Sequence, residues 1–266
     1  MSDPKLIDTG SSGTGWSYYS RFVHCPQDWA FTYQLPEGEE RPSPADAANP
    51  LKKGTILGTG LAHHYALKLG QDVYEPKEAM RIKGEELEMP ISLMADLRIV
   101  YDEYARLHEY EKWRPIAVER LVKGKIAGEP YTMRLDLEVE DERGRHLMVD
   151  HKSSSRVSVD LATKYTLSGQ FIGAYIAGRK IPRFGGIVIN AIPSVADRMK
   201  FLRLPLPPAP AVQNVEAFGR TIKYIADNIR KLEGTPYNQY PKALSETSCV
   251  TQYGVCPHFE RCRMGV

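Results

Sequence analysis

Two acids and a lysine within one short stretch are the residues of this chain best spaced for chemistry. In the stretch 131–153, YTMRLDLEVEDERGRHLMVDHKS, Leu135, Leu137 and Val139 alternate with Arg134, Asp136 and Glu138, and Leu147 and Val149 alternate with Met148, Asp150 and Lys152. Period-two alternation predicts two strands, aliphatic on one face and charged on the other. Glu142-Arg143-Gly144 between them predicts a three-residue hairpin connection with glycine in the left-handed conformation. A hairpin centred on Arg143 sets Asp136 opposite Asp150 and Arg134 opposite Lys152, with Cβ atoms only ~5 Å apart. Two carboxylates so placed repel each other unless a cation lies between them, and a divalent ion such as Mg²⁺ favours carboxylate oxygens. Lys152 follows Asp150 by two residues and so shares its face, placed to stabilise charge building on a phosphate or to orient a water. The plainer alternative is a half-solvated hairpin whose outer face is merely charged, and a one-residue slip of register removes the pairing.

The four cysteines form the second candidate set. Cys25 stands alone near the start, while Cys249, Cys256 and Cys262 follow one another as C-x6-C-x5-C. Four thiolates are the usual count for an iron–sulfur cluster or a structural zinc site, and the close C-x-x-C knuckle of zinc ribbons is absent. The alternative is four unrelated thiols. Joining Cys25 to Cys249 would close a loop over nearly the whole chain, the kind of closure that constrains an unfolded chain most.

The elements that must position these residues change period along the chain. Helices are expected at Trp16–Gln34, Gly54–Leu69, Ile91–Tyr110, Val159–Gly178 and Val215–Leu232. Strands are expected at Ile116–Val122, Tyr131–Glu140, Arg145–Lys152 and Gly186–Ile192. Pro36–Pro50 reads as a loop, Pro205–Pro210 as a linker, and everything from Glu233 onward as loop. Residues 1–15, polar and rich in Gly and Ser, read as a flexible tail, and 16–266 as a single domain. Helices around a compact block of strands predict an α/β fold.

Composition excludes more than it selects. With 42% hydrophobic and 26% charged residues the chain suits a globular protein, and a net charge of +2 gives no basic field that would by itself imply nucleic acid. No apolar run approaches the roughly 20 residues of a membrane helix. The N-terminus lacks the pattern of a signal peptide, so a reducing cytoplasmic setting is expected.

Asp136 followed by Asp150-His151-Lys152 resembles the D…(D/E)XK signature of the PD-(D/E)XK nucleases, and is most similar to their RecB-like branch, which includes CRISPR-associated exonucleases and phage relatives. The resemblance runs from about Tyr19 to Cys262, and its specificity lies in the order and joint presence of short motifs. It implies a restriction-endonuclease-like core, a central mixed sheet flanked by helices. It also implies a glutamate on the preceding strand, met by Glu119, and a metal-binding histidine four residues after a glycine, met by His64 after Gly60 with His63 as neighbour and rival. The histidines' alternative is partly exposed surface. A catalytic glutamine and tyrosine are implied too: Gln170 is present, but the nearest tyrosine, Tyr175, stands five residues on, a rotation of ~500° that keeps the two off one helix face. Departures are Met133 where the family has glycine and Lys68 where glutamate is frequent.

Iron–sulfur members of that branch carry one upstream cysteine and three near the C-terminus, so the resemblance implies that Cys25, Cys249, Cys256 and Cys262 hold a [4Fe–4S] cluster joining the two ends, with zinc the second choice. It further implies Mg²⁺ or Mn²⁺ held by His64, Asp136 and Asp150, and phosphodiester hydrolysis assisted by Lys152 and Glu119. The substrate implied is DNA, by exonuclease action on single strands or duplex ends. Lys123, Lys125, Arg156 and Lys164 are candidate backbone contacts. A catalytically silent DNA-binding or adaptor subunit is the competing expectation, an RNA-directed nuclease a third, and a protein partner or oligomer is compatible with each.

Overall fold

The computed structural model describes residues 4–36, 49–207, 209–243, 245–251 and 254–264. The first expected helix is two. α1 (Trp16–His24) stops at Cys25, whose backbone is extended, and α2 (Pro26–Tyr33) restarts with Pro26 in its first turn. A residue before proline is driven out of the helical region, and proline suits a first helical position. The loop expected at Pro36–Pro50 lies outside the described residues except at its ends, and Asn49 and Pro50 already belong to α3 (Asn49–Lys68). α4 (Pro76–Glu86), which the sequence reading did not anticipate, precedes α5 (Ile91–Leu107).

A mixed sheet of five strands follows: β1 (Arg114–Ile126), β2 (Glu129–Glu140), β3 (His146–Ser154), β4 (Phe184–Pro193) and the unanticipated β5 (Leu202–Pro205), in the spatial order β1-β2-β3-β4-β5. β3 and β4 run parallel, and the other neighbours antiparallel. A parallel pair needs a crossover, and it is made by α6 (Asp160–Thr166) and α7 (Gly169–Gly178), one expected helix divided at Leu167–Ser168. α8 (Val212–Lys231) leads to a C-terminal stretch with short elements of its own, α9 (Glu246–Cys249), β6 (Val250–Thr251), β7 (Gly254–Val255) and α10 (Phe259–Met264). The fold is thus α/β, a mixed sheet flanked by helices.

Helices cover both faces of the sheet. On one side Phe22, Trp29, Phe171 and Ile222 pack against Met148, Ile187 and Ile189. On the other, Tyr65, Leu97 and Tyr104 pack against Leu137, Val149 and Val188. Each fully buried large side chain contributes roughly 1.5–3 kcal/mol. This corrects the expected one-sided hairpin. β2 sends Met133 and Leu135 into the first core but Leu137 and Val139 into the second, so the strand changes face at Asp136. Its Glu138, expected on a charged outer face, is 1% exposed. It accepts hydrogen bonds from Arg120 on β1 and lies 2.6 Å from His146 Nε2 on β3, tying three strands together.

The hairpin register matches the one centred on Arg143. Leu137 pairs with Val149, Glu138 with Met148, Val139 with Leu147 and Glu140 with His146. Gly144 takes φ +66°, and Asp141 closes the turn by accepting from the backbone N–H of Arg143 and Arg145. Residues 4–15, expected as a free tail, lie against the body. Lys5 bridges to Val73, Ile7 N–H donates to His63 Nε2 (3.1 Å), Asp8 pairs with Arg134 (2.8 Å), and Ser12 exchanges hydrogen bonds with Thr132. Among the described residues no helix is long and apolar enough to cross a membrane.

Candidate active site

Asp136 sits where β2 changes face. On β1 the ladder pairs Val118 with Leu137 and Arg120 with Leu135, leaving Glu119 and Asp136 between these pairs. Glu119 there takes φ +49°, a left-handed conformation that costs a non-glycine residue on the order of 1–3 kcal/mol and that concentrates at functional sites. One step beyond the last ladder pair between β2 and β3 stands Asp150, in register with Asp136. Asp136, Asp150 and Gln170 line one cavity of about 20 Å³, closed by Met133, Leu135, Met148 and Phe171. That is room for a single water-sized occupant.

The side chains at this cavity hold one another. Gln170 Nε2 donates to Asp150 Oδ1 (2.7 Å), Lys152 Nζ lies 2.7 Å from Asp150 Oδ2, and the backbone N–H of His151 donates to Asp136 Oδ2 (2.8 Å). The His151 ring turns to the opposite core, stacked on Tyr65 and accepting from Asn190 Nδ2 (2.9 Å). The central residue of Asp150-His151-Lys152 therefore anchors the strand on one side and an acid on the other.

Electrostatics reflect three carboxyls crowded into a buried place. Burial pushes Asp150 up to about 6, with Asp136 adding to the rise against the pull of Lys152. Burial likewise raises Asp136, against Lys152 and the His151 N–H. Glu119 is pushed up to about 9, by burial first and then by Asp136. Burial works against the Lys152 ammonium, but Asp150 and Asp136 outweigh it and hold its pKa above the usual lysine value. Acids that resist ionisation where they converge, beside a permanent cation, are what a divalent ion would relieve. Among the described residues, no three His, Cys, Asp or Glu side chains are close enough in this structure to form a ready-made metal cage.

The other candidates fall in three places. His64 stands on α3. Its Nδ1 is 3.1 Å from Tyr101 Oη, its buried Nε2 has no hydrogen-bond partner, and burial, with Lys68 next, lowers its pKa to about 4. His63 is fully buried, with Nε2 on Ile7 N–H and Nδ1 2.9 Å from the Tyr74 carbonyl. Lys68 pairs with Glu111, which also binds Arg203. Tyr175 faces Phe184 and lines a separate small cavity with Pro207 and Pro210. Met133 is buried in the core. Of the basic residues, Lys164 lines the groove described next, whereas Lys123 and Lys125 stand at the far end of β1, opposite Thr132 and Pro130.

Glu119, Asp136 and Gln170 also line a groove of about 980 Å³ whose walls include Lys53, Ser153, Lys164 and Tyr165. Three of these wall residues, and Thr9 beside Glu119, escaped the sequence reading. Lys53 and Thr9 are far from the motif in the chain, and Tyr165 sits on a helix with no distinctive spacing. The serine run 153–155 directly after Lys152 was the one local signal for a polar wall.

The cysteines lie at the break between α1 and α2 and in the C-terminal stretch. Cys256 N–H donates to the Cys249 carbonyl, Ser248 Oγ to the carbonyl of His24, and Lys242 Nζ to that of Cys262. Burial pushes the Cys256 thiol up to about 11, against a backbone hydrogen bond at His258 and with help from Asp28, Cys262 and Cys25. Burial also raises Cys262, against Lys242 and with Cys25 and Cys249 adding to the rise. Among the described residues the thiols form no ready-made metal cage either.

The profile described as PD-(D/E)XK nuclease superfamily matches residues 16–263. No curated protein matches the sequence. Among solved structures, the chain is similar to a candidate exonuclease from Eubacterium rectale at 11% identity, covering 91% of this chain and 92% of that one with a TM-score of 0.48. It is also similar to the protein SSO0001 at 12% identity, covering 79% and 86%, with a TM-score of 0.29.

Proposed function

The chain belongs to the PD-(D/E)XK nuclease superfamily, and on that premise we propose that it is a divalent-metal-dependent deoxyribonuclease of the RecB-like iron–sulfur branch, acting as an exonuclease. One observation carries the reading: Asp136, Asp150 and Gln170 share a cavity for one small occupant, otherwise walled by apolar side chains, with Lys152 paired to Asp150 and a groove that Asp136 and Gln170 also line. The residues fit a hard divalent ion. The donors are carboxylates, their charges are mutually unfavourable when the cavity holds no cation, and the space is that of one water or ion.

Asp136 and Asp150 would hold Mg²⁺ or Mn²⁺, with Glu119 across the strand gap as a further carboxylate. Bound there, the ion lowers the pKa of a coordinated water and draws charge from a phosphate oxygen. Gln170 fixes the orientation of Asp150 through its amide. The His151 N–H fixes Asp136. Lys152, held charged by the acids, neutralises negative charge growing on the phosphate. Glu119, raised toward neutrality, is suited to take and release a proton. His64 keeps Nδ1 on Tyr101 and leaves its buried Nε2 without a partner, the nitrogen that would serve the metal in the proposed set.

The second part of the proposal is a [4Fe–4S] cluster on Cys25, Cys249, Cys256 and Cys262. The four thiols are free, Cys25 stands at the break between α1 and α2 against which the C-terminal stretch is bonded, and soft thiolates suit iron–sulfur or zinc. Bound, the cluster serves as a structural tie. DNA is the proposed partner and the cytoplasm the proposed setting.

The test is hydrolysis of end-labelled single- and double-stranded DNA with Mg²⁺ or Mn²⁺, beside Asp150→Ala. Cleavage by the parent that the variant loses supports the proposal. DNA binding without cleavage in either protein favours the silent-subunit reading, which the position of Tyr175 against Phe184 would then explain.

A further inference from the structure

A second cavity, of about 380 Å³, is lined in part by Glu119 and Asp136. It and the groove share Thr9, Glu119, Asp136 and Gln170 in their linings. These two arms therefore adjoin at Glu119 and Asp136. Residues 9–12 wall the second arm, and the segment is fastened to β2 and α3. Arg134 Nη2 pairs with Asp8 Oδ2 at 2.8 Å, and its Nη1 donates to the Asp8 carbonyl at 2.9 Å. Thr9 Oγ1 lies 3.4 Å from Thr59 Oγ1, and Ser12 is bonded twice to Thr132.

The arms differ in chemistry. The groove is long and carries Lys53 and Lys164 beyond the acids, charges suited to successive phosphates of a polymer. The smaller arm is lined by Ser11, Ser12, Ser17, Ser20 and the indole of Trp16, and its one cation, Arg134, is spent on Asp8. Its volume lies near the lower bound for small-ligand pockets, roughly 300–1,000 Å³. Hydroxyls and an aromatic face suit the sugar and base of a single nucleotide better than a continuing phosphate chain.

From this we infer that the smaller arm is a terminal-nucleotide chamber: a strand lies in the groove, its end passes the acids, and the unit cut off is held between segment 8–12 and α1. The inference rests on the nuclease reading and deepens it, because a recess of one nucleotide's size beside Glu119 and Asp136 would hold the end of a strand.

Equilibrium dialysis of radiolabelled deoxyadenosine 5′-monophosphate, with and without Mn²⁺, tests it on the full chain. Ser20→Phe and, independently, Ser17→Trp fill the chamber from α1, with circular dichroism to verify folding. The parent retains the nucleotide, a folded filled variant retains it at least about tenfold more weakly, and the parent releases mononucleotides from single-stranded DNA. No retention by the parent, or equal retention by both folded variants, overturns the chamber. DNA cleavage is measured on the same preparations. Cleavage without nucleotide retention removes the chamber and leaves the nuclease, whereas retention without cleavage keeps the nucleotide site and removes the hydrolysis.

Discussion

Asp150 is held from three sides: Gln170 by a hydrogen bond, Lys152 by charge and Asp136 by repulsion. Gln170→Leu keeps the side chain's approximate size and removes the first. Partners that orient a metal-binding side chain are worth about 10–100-fold in metal affinity or activity, so a loss in that range is expected, recovered in part by raising the Mn²⁺ concentration. A variant as active as the parent at all Mn²⁺ concentrations would show that Asp150 needs no such support. The carboxyls also set a pH dependence of stability. Asp150 and Glu119 have folded-state pKa values raised to about 6 and about 9, above their ordinary values. For an acid so shifted, the stability present below its unfolded pKa is lost as pH rises through the folded one. The metal-free protein is therefore expected to melt progressively lower from pH 5 to pH 9, at roughly 2–4 °C per kcal/mol lost. Mn²⁺ should raise the melting temperature more at pH 8 than at pH 5.5. A flat profile without metal, or an equal Mn²⁺ effect at both values, would contradict the proposed carboxylate site. At this scale the sequence carried much: the Asp136–Asp150 register and the position of Lys152 were legible from alternation about a short turn. Lys53 and Thr9 were not, because nothing local links them to the motif.

At the scale of elements, the acids are placed by the joint of β1, β2 and β3, and Glu138 is the pin of that joint. It is almost wholly buried, with Arg120 and His146 on either side. Glu138→Ala leaves both partners without their acceptor, and a loss of about 2–3 kcal/mol follows, measured by urea unfolding. A cost under about 0.5 kcal/mol, the range of ordinary surface substitutions, would mean that the strands hold register without it. α7 is seated by Gly169, where a Cβ would meet the Trp16 ring at 2.5 Å. That close approach sets Gln170 against Asp150 on one side and Trp16 against the smaller chamber on the other. Helix and strand types were readable from periodicity. The breaks at Cys25 and Leu167, the strand β5 and the two-sided burial of β2 were not, because a strand's alternation says which residues share a face and not how many faces are covered.

Across the whole molecule, the two ends of the described chain are fastened at different places. The segment 4–15 lies along the site, and the C-terminal stretch lies on α1 and α2, where Gln27 N–H donates to the Pro241 carbonyl and Gln27 Nε2 to that of Tyr237. Should a cluster join the four thiols, Cys25→Ser is expected to abolish the visible iron–sulfur absorbance and lower the melting temperature. The loss should exceed that of the same substitution made in metal-stripped protein. Anaerobically purified parent protein that is colourless, zinc-loaded and active would set the iron assignment aside in favour of zinc.

By itself the sequence determined what depends on neighbours in the chain: the hairpin with its acids in register, the lysine on their face, the period of the main helices, and a family signature read from the order of short motifs. Those features follow from backbone geometry, which repeats every two or 3.6 residues. Only the tertiary structure decided which distant side chains share a cavity. It turned His64 toward Tyr101 and Tyr175 toward Phe184, brought Lys53, Thr9 and Tyr165 to the acids, and laid the first fifteen residues' described part along the site. Such meetings depend on how helices pack over both faces of a sheet, a property of the whole packed arrangement that no local spacing records.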